Sequence, residues 1–355
     1  MSKHADWSVF TSVIERMPPA KQAASLAGLA QQMLAHGERD GAIAQALRAR
    51  ALARRHGTDD PAAITRVLRM LTAGYHVNIS TDPDRLAAWQ QALAQRIRPG
   101  MLVLEIGTGS GILAMLAARA GAEVVSCDND SVVTAVAEDI IAANGLADRI
   151  KIVAKPVENL RVGRDLPRPA DAVMLDLFAD LLFGFMPFKA LAAARPLLRD
   201  DAIVVPMEVS LHAALADFRR WRRFVPGTVA GFDLSALADI GTMHTPISDQ
   251  SDLVLRSASE RPVRVELAGP LPASQDSVVQ PFISEGGMVN GVAVWLNLTL
   301  APGCALEARP GVAPHGFYAR TNFCAFASEL TTKPGDSVSI RFEWRGKHFA
   351  AVPAG

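Results

Sequence analysis

MLVLEIGTGSGILAMLAARAG, residues 101–121, places a short apolar run, a loop with glycine at 107, 109 and 111, and a helical segment in direct succession. MLVLEI lacks polar alternation, as a strand buried on both faces does, whereas ILAMLAARAG repeats its apolar residues at helical spacing. A glycine loop between such a strand and helix lets a ligand approach the backbone, and the helix N-terminus adds unpaired N–H groups and a partial positive charge. The G-x-G-x-G spacing differs from the G-x-G-x-x-G that cradles a pyrophosphate, so it points away from a dinucleotide.

Outward from this unit, AEVVSCD (122–128), RIKIVAK (149–155) and ADAVMLDLF (170–178) repeat the buried-strand pattern, and SVVTAVAEDIIAANG (131–145) reads as a helix between two of them. Strands alternating with helices predict a right-handed, doubly wound parallel sheet, a Rossmann-like α/β domain. Asp128 closes the second strand at the distance where an acid accepts the ribose hydroxyl protons in nucleotide folds. Glu105, Gly107, Thr108, Gly109, Gly111, Asp128 and Asn129 are therefore the expected cofactor wall.

After Pro206 the pattern turns to alternating segments such as VSLHAAL (209–215), VAVWLNLTL (292–300) and SVSIRFEW (337–344), separated by Gly and Pro turns. They predict an antiparallel, barrel-like second domain over 207–355, interrupted by an inserted arm at about 217–245. Before the glycine loop, residues 20–55 read as a helical hairpin, two alanine-rich helices joined at Gly37–Gly41 that resemble a single tetratricopeptide unit. One such unit cannot bury its own face and is expected to pack on the segments C-terminal to it. The expected division is 1–60 helical, 61–206 Rossmann-like, and 207–355 barrel-like.

The 355 residues carry 36 basic and 36 acidic side chains, a balance that gives no field for nucleic acid or a membrane surface. The three cysteines are too few and too scattered for a disulfide framework or a closed zinc site, so no metal is expected. No basic leader and no apolar run of spanning length is visible, which leads us to expect a soluble cytoplasmic protein.

The glycine loop and Asp128 resemble those of class I methyltransferases and, more narrowly, of the protein arginine methyltransferases. Tyr75-HVNISTDPD-Arg85, followed by Trp89, resembles that family's aromatic N-terminal helix and D-x-x-R segment. The resemblance implies S-adenosylmethionine as cofactor, with Tyr75 beside it and Arg85 holding its carboxylate through charge-assisted bonds. Val157 and Glu158 are similar to the pair beside the adenine, and Pro206 falls where the family enters its barrel. The family's head-to-tail arm implies a homodimer.

Two departures concern the acceptor. Where the family places two glutamates to clamp a guanidinium, the matching positions are Asp176 and Phe185; where it has T-H-W, this chain has Thr321-Asn322-Phe323. A guanidinium buried beside one short carboxylate and a phenyl ring would keep much of its charge uncompensated. The expected enzyme is therefore an S-adenosylmethionine-dependent methyltransferase that N-methylates a small molecule, an amino acid or a peptide. A true arginine methyltransferase with an altered clamp, or a silent cofactor-binding scaffold, are the alternatives. Asp176, at the C-terminal end of a central strand, is the first candidate to orient or deprotonate the acceptor, and Asp180 the second. His76, Phe185 and Asn322 are the expected acceptor-side residues, with His315 a weaker one.

Overall fold

The computed structural model describes residues 7–354 apart from 73, 179–185, 224–227, 235, 237–243, 248, 274, 312–320 and 347. Asp180, Phe185 and His315 lie outside the described residues.

Four helices open the chain: α1 (Trp7–Ile14), α2 (Pro19–Ala35), α3 (Arg39–His56) and α4 (Pro61–Leu71). α2 and α3 form the expected hairpin, starting at Pro19 and closing at Gly57, whose φ of 77° suits a residue without Cβ. Alanines at 23, 27, 30, 42, 46 and 49 are fully buried and let the two helices approach closely. Ala63, Ile64, Val67 and Leu71 of α4 bury into the same apolar cluster as α2 and α3, so the helical unit runs on to about Leu71. Asp60 caps α4, accepting from the Ala63 N–H at 3.0 Å.

Next come α5 (Tyr75–Ser80), α6 (Pro83–Arg96), β1 (Leu102–Ile106), α7 (Ile112–Arg119), β2 (Glu123–Cys127), α8 (Ser131–Ala143), β3 (Ile150–Val153), β4 (Ala170–Leu175), α9 (Met186–Ala194) and β5 (Leu198–Val205). The five strands form a parallel sheet in the order β3-β2-β1-β4-β5. β1 lies between β2 and β4, so the chain's direction of winding reverses beside it, and ligands of such sheets bind at the C-terminal ends of those strands. The helical unit docks on this domain through α8: Val132 joins its apolar cluster, Arg50 and Arg54 both pair with Asp139, and the Arg50 guanidinium donates to the Ala135 carbonyl at 3.1 Å.

From β6 (Glu208–Phe218) onward the chain is antiparallel. A ribbon of β7 (Thr228–Val229) and β8 (Phe232–Asp233) lies in the inserted arm. β9 (His244–Pro246), β10 (Leu253–Leu255), β11 (Glu260–Glu266), β12 (Gln275–Ala301), β13 (Cys304–Glu307), β14 (Asn322–Arg345) and β15 (His348–Pro353) complete a bent eight-stranded sheet with β6. β12 and β14 pair along most of their length, with register shifts at Ile283/Glu285 and Val289/Gly291 that bend both strands. A Cβ at Gly291 would collide with the Cys324 carbonyl and the Phe323 ring, so the close approach of the two strands demands glycine there.

One apolar core runs through both domains, from Trp89 and Leu93 of α6 and the β1 strand to Leu296 and Leu298 of β12. The Cys304 thiol donates to the Ala88 carbonyl at 3.1 Å across that junction. The other face of the barrel-like sheet carries a second cluster around Trp295, Phe218 and Phe323. No helix among the described residues is long and apolar enough to cross a membrane, and no cluster of His, Cys, Asp and Glu among them is placed to hold a metal ion.

Candidate active site

The C-terminal ends of β1, β2 and β4 open into a cleft walled by Glu105, Gly107, Thr108, Gly109, Ser110, Asp128, Asp176 and Leu177, and covered by Tyr75, His76, Ile79, Ser80 and Arg85 from α5 and α6. The glycine loop turns at positive φ at 107, 109 and 111, with values of 90°, 51° and 78°. A Cβ at Gly107 would come within 2.6 Å of the Leu177 side chain, whereas one at Gly109 would meet only His76, at 3.9 Å. The backbone conformation at 107 favours glycine and Leu177 fills the space beside it, while Gly109 leaves open the space a ligand would take. Gly111 caps α7 in a left-handed conformation and lies behind the cleft wall.

Asp128 ends β2 with both oxygens directed at backbone N–H groups, Oδ2 accepting from Gly109 at 3.4 Å and Oδ1 from Asp130 at 3.0 Å. Asp130 in turn caps α8 and accepts the Thr72 hydroxyl at 3.0 Å, which ties the end of α4 to the rim of the cleft. Tyr75 and His76 stand over Asp128 with ring centroids 4.2 Å apart. Burial, and then the charges of Asp128 and Asp130, hold the Tyr75 phenol above its ordinary range. Burial lowers His76 despite the same two carboxylates, so its imidazole is neutral at pH 7.

Glu105 is 1 % exposed. The parallel register sets Ser126 directly beside it, and the Ser126 hydroxyl donates to Oε2 while exchanging a 2.7 Å hydrogen bond with Thr108. Oε1 of Glu105 has no partner among the described residues. Burial, and the nearby Asp128 and Asp176, push its pKa up to about 8, against the lowering effect of Ser126 and Arg85.

Arg85 and Asp176 face each other across the cleft floor. Asp82 caps α6 and accepts from the Arg85 backbone N–H at 3.1 Å, which fixes the start of the helix. The Arg85 guanidinium then reaches Asp176 Oδ2 through Nε at 2.7 Å and through Nη2, and the Ile79 carbonyl through Nη1 at 2.9 Å. Both side chains are nearly inaccessible, at 6 % and 4 %. Asp176 therefore does not present an uncompensated negative charge, contrary to the expectation from its position alone.

Of the other candidate residues, Asn129 is exposed beyond Asp128, and Val157 and Glu158 form a short turn after β3 outside the cleft lining. His76 sits over the glycine loop, in the lining of the same cleft. Asn322 is buried at the start of β14, paired with Val294 and Pro246, and does not line the cleft. Its neighbour Phe323 is fully buried in the second apolar cluster. Ser80 and Ser126 are site residues that the sequence pattern does not single out. Ser126 is recoverable from register, two residues before Asp128 and opposite Glu105; Ser80, whose hydroxyl donates to Ser110 at 2.7 Å, gives no signal before the chain is folded.

The donors and acceptors suit a nucleoside that carries an amino acid. An open backbone approach at Gly109 and an acid at the end of β2 fit the sugar side, and a guanidinium and an unfilled buried carboxyl oxygen fit a carboxylate and an ammonium.

Residues 89–195 match the family described as ribosomal protein L11 methyltransferase (PrmA). Over 290 residues, 80 % of each chain, the sequence is 29 % identical to an arginine N(omega)-methyltransferase of Streptomyces achromogenes subsp. streptozoticus. It is 34 % identical to protein arginine N-methyltransferase 7 of Drosophila ananassae over 134 residues, which is 37 % of this chain and 19 % of that one. The corresponding protein of Anopheles gambiae matches at 39 % over 119 residues, or 17 % of its length. Among solved structures, the Trypanosoma brucei PRMT1 enzyme–prozyme heterotetramer with AdoHcy superposes with a TM-score of 0.70 at 19 % identity, covering 78 % of this chain and 89 % of that one. PRMT6 with SAH gives 0.60 at 16 %, covering 78 % and 97 %.

Proposed function

We propose that this S-adenosylmethionine-dependent methyltransferase, similar to the arginine methyltransferases, N-methylates a small-molecule, amino-acid or peptide acceptor delivered to the Asp176 end of the cleft. The observation that carries this is the buried Arg85–Asp176 pair, which joins the proposed cofactor side to the proposed acceptor side.

The cofactor supplies a sulfonium-activated methyl group when bound. Methyl transfer from it is an in-line displacement, so the protein's part is alignment and exclusion of water. Arg85 is assigned the cofactor carboxylate, Asp128 the ribose, and the Gly107–Gly111 loop the backbone contact, with Tyr75 and His76 closing over them. Asp176, held in one orientation by two guanidinium N–H groups, orients the acceptor and takes up or shares its proton. Asp180 and Phe185 are assigned to the acceptor side from their sequence positions alone.

Asp176 already has Arg85 as its counter-charge, so a peptidyl guanidinium would find little free negative charge there. Glycine-arginine-rich peptides are expected to be poor substrates, and Asp176→Glu with Phe185→Glu is expected to improve their use. A second reading keeps arginine as the acceptor, since the relative that aligns over most of the chain is named for arginine N(omega) methylation. Incubation with labelled cofactor and, separately, free arginine, an arginine-rich peptide and fractionated cell extract decides among them. Efficient labelling of the arginine-rich peptide overturns the reading of a pocket rebuilt against a peptidyl guanidinium. Labelling of free arginine establishes the second, and cofactor binding with no labelled product from any source indicates a silent scaffold.

We also propose a two-fold dimer through the arm. Phe232 and Val229, on the β7–β8 ribbon, are 72 % and 57 % exposed, an apolar tip of the kind that marks a contact surface. Phe232→Ser should weaken association by about 1.5–3 kcal/mol for each copy of the contact, the value of a buried aromatic side chain. Light scattering should show a dimer for the wild type and the 37.8 kDa monomer for the variant at the same micromolar concentration. A wild-type monomer refutes the assignment.

A further inference from the structure

We infer that Glu105 is a proton-exchanging acceptor for the positively charged amino-acid end of the cofactor, neutral in the ligand-free protein and ionised in the complex. The inference rests on the cleft binding S-adenosylmethionine and its product.

Glu105 sits at the C-terminal end of the central strand with its side chain in the cleft lining, yet it is almost wholly out of water. Oε2 has the Ser126 hydroxyl, and Oε1 has no partner among the described residues. An ionised carboxylate in that position would be held by one hydrogen bond in a medium that screens it poorly.

The surroundings make matters worse for a negative charge. Asp128 at the end of β2 and Asp176 at the end of β4 both act on Glu105 as like charges. Cys127, paired with Ile106 one residue further along β2, stays a thiol, its pKa pushed to about 12 by burial and by Glu105 and Asp128. His76 and Tyr75, which face the cleft from α5, carry no charge at pH 7. Arg85 on α6 is the one cation acting on Glu105 among the described residues, and its guanidinium is already engaged by Asp176 and the Ile79 carbonyl. With a pKa near 8, the carboxyl holds its proton through neutral pH.

A ligand ammonium supplies what is missing, a cation that donates N–H groups to the unfilled oxygen. On its arrival the Glu105 O–H bond breaks, the proton leaves to solvent, and the carboxylate pairs with the ammonium. Charge balances across the step: a neutral acid and a cation become an ion pair and a released proton. Ligand binding is then tighter at higher pH, up to the pKa of the ligand-free carboxyl. Below it, the affinity rises about tenfold per pH unit.

The test uses S-adenosylhomocysteine, which keeps the ammonium and lacks the reactive methyl group. Calorimetry at pH 7 in two buffers of different ionisation enthalpy should report about one proton released per ligand bound by the wild type, and none by Glu105→Gln. Between pH 6 and 7 the ligand amine stays charged; there the wild-type affinity should rise about tenfold and that of the variant should stay flat. His76 titrates alike in both proteins, so it cancels in the comparison. If Glu105→Gln does not fold, infrared difference spectra of the wild type give the same answer through loss of a protonated-carboxyl band on binding. Equal proton release by the two proteins, no release by the wild type, or a carboxyl band unchanged by ligand overturns the inference while leaving the cofactor assignment standing. Failure of the wild type to bind at all overturns both.

Discussion

Replacing Arg85 by methionine should lower the free energy of unfolding by about 3–5 kcal/mol, because Asp176 would be left charged in a site where its side chain is only 4 % exposed. The substitution is close in volume and keeps the helix propensity of α6, so packing and backbone changes contribute little. The reverse single change, Asp176→Leu, should cost a similar amount by stranding the guanidinium. Making both changes together should recover most of the loss, since replacing a buried ion pair with apolar groups is often neutral or better. Urea midpoints of the four proteins close the cycle. A double variant as unstable as the sum of the singles would mean that the two charges are not energetically coupled despite their burial. Arg85→Met and the double variant should both lose cofactor affinity, although the double variant regains stability, which separates the role of Arg85 in the site from its role in the fold.

Asp128→Ala should weaken S-adenosylhomocysteine binding by about 1.5–3 kcal/mol, the range for hydrogen bonds to a charged group, or about 10- to 150-fold. Two consequences add. The ribose loses its acceptor, and the Gly109 and Asp130 N–H groups lose theirs, so the loop that shapes the cleft is less well fixed. Asp128→Asn keeps an acceptor oxygen and should fall between the wild type and the alanine variant. The Asp130 cap of α8 remains in both, so the melting temperature should move little. Calorimetry that finds unchanged affinity for Asp128→Ala would remove the ribose assignment.

The reach of the sequence differs between the two halves of the site. Glu105, Gly107, Gly109 and Asp128 belong to one strand-loop-helix-strand unit, and their positions follow from local rules: a buried strand, a turn that needs positive φ, an acid at the next strand's end. Ser126 could have been added by the same reasoning, because parallel register alone sets it opposite Glu105. The acceptor side follows no such rule. Asn322 looks like a pocket residue from its place in a matched loop; the sheet buries it at the start of β14, next to Phe323 in the chain, and away from the cleft lining.

What the sequence determined by itself was therefore the order of the elements and the glycine loop and acids that line the cleft, since apolar periodicity and glycine positions act over a few residues and need no distant partner. Only the tertiary structure decided which charges meet. Arg85 and Asp176 are 91 residues apart, and each alone reads as a ligand-binding group or a helix cap. Closing the sheet against α6 buries both, and two opposite charges removed from water must pair. The same holds for α4, whose amphipathic face suits either neighbour until the packing of α2 and α3 offers it a groove. It holds too for Glu105, whose retained proton depends on the carboxylates that the fold, and not the sequence, gathers around it.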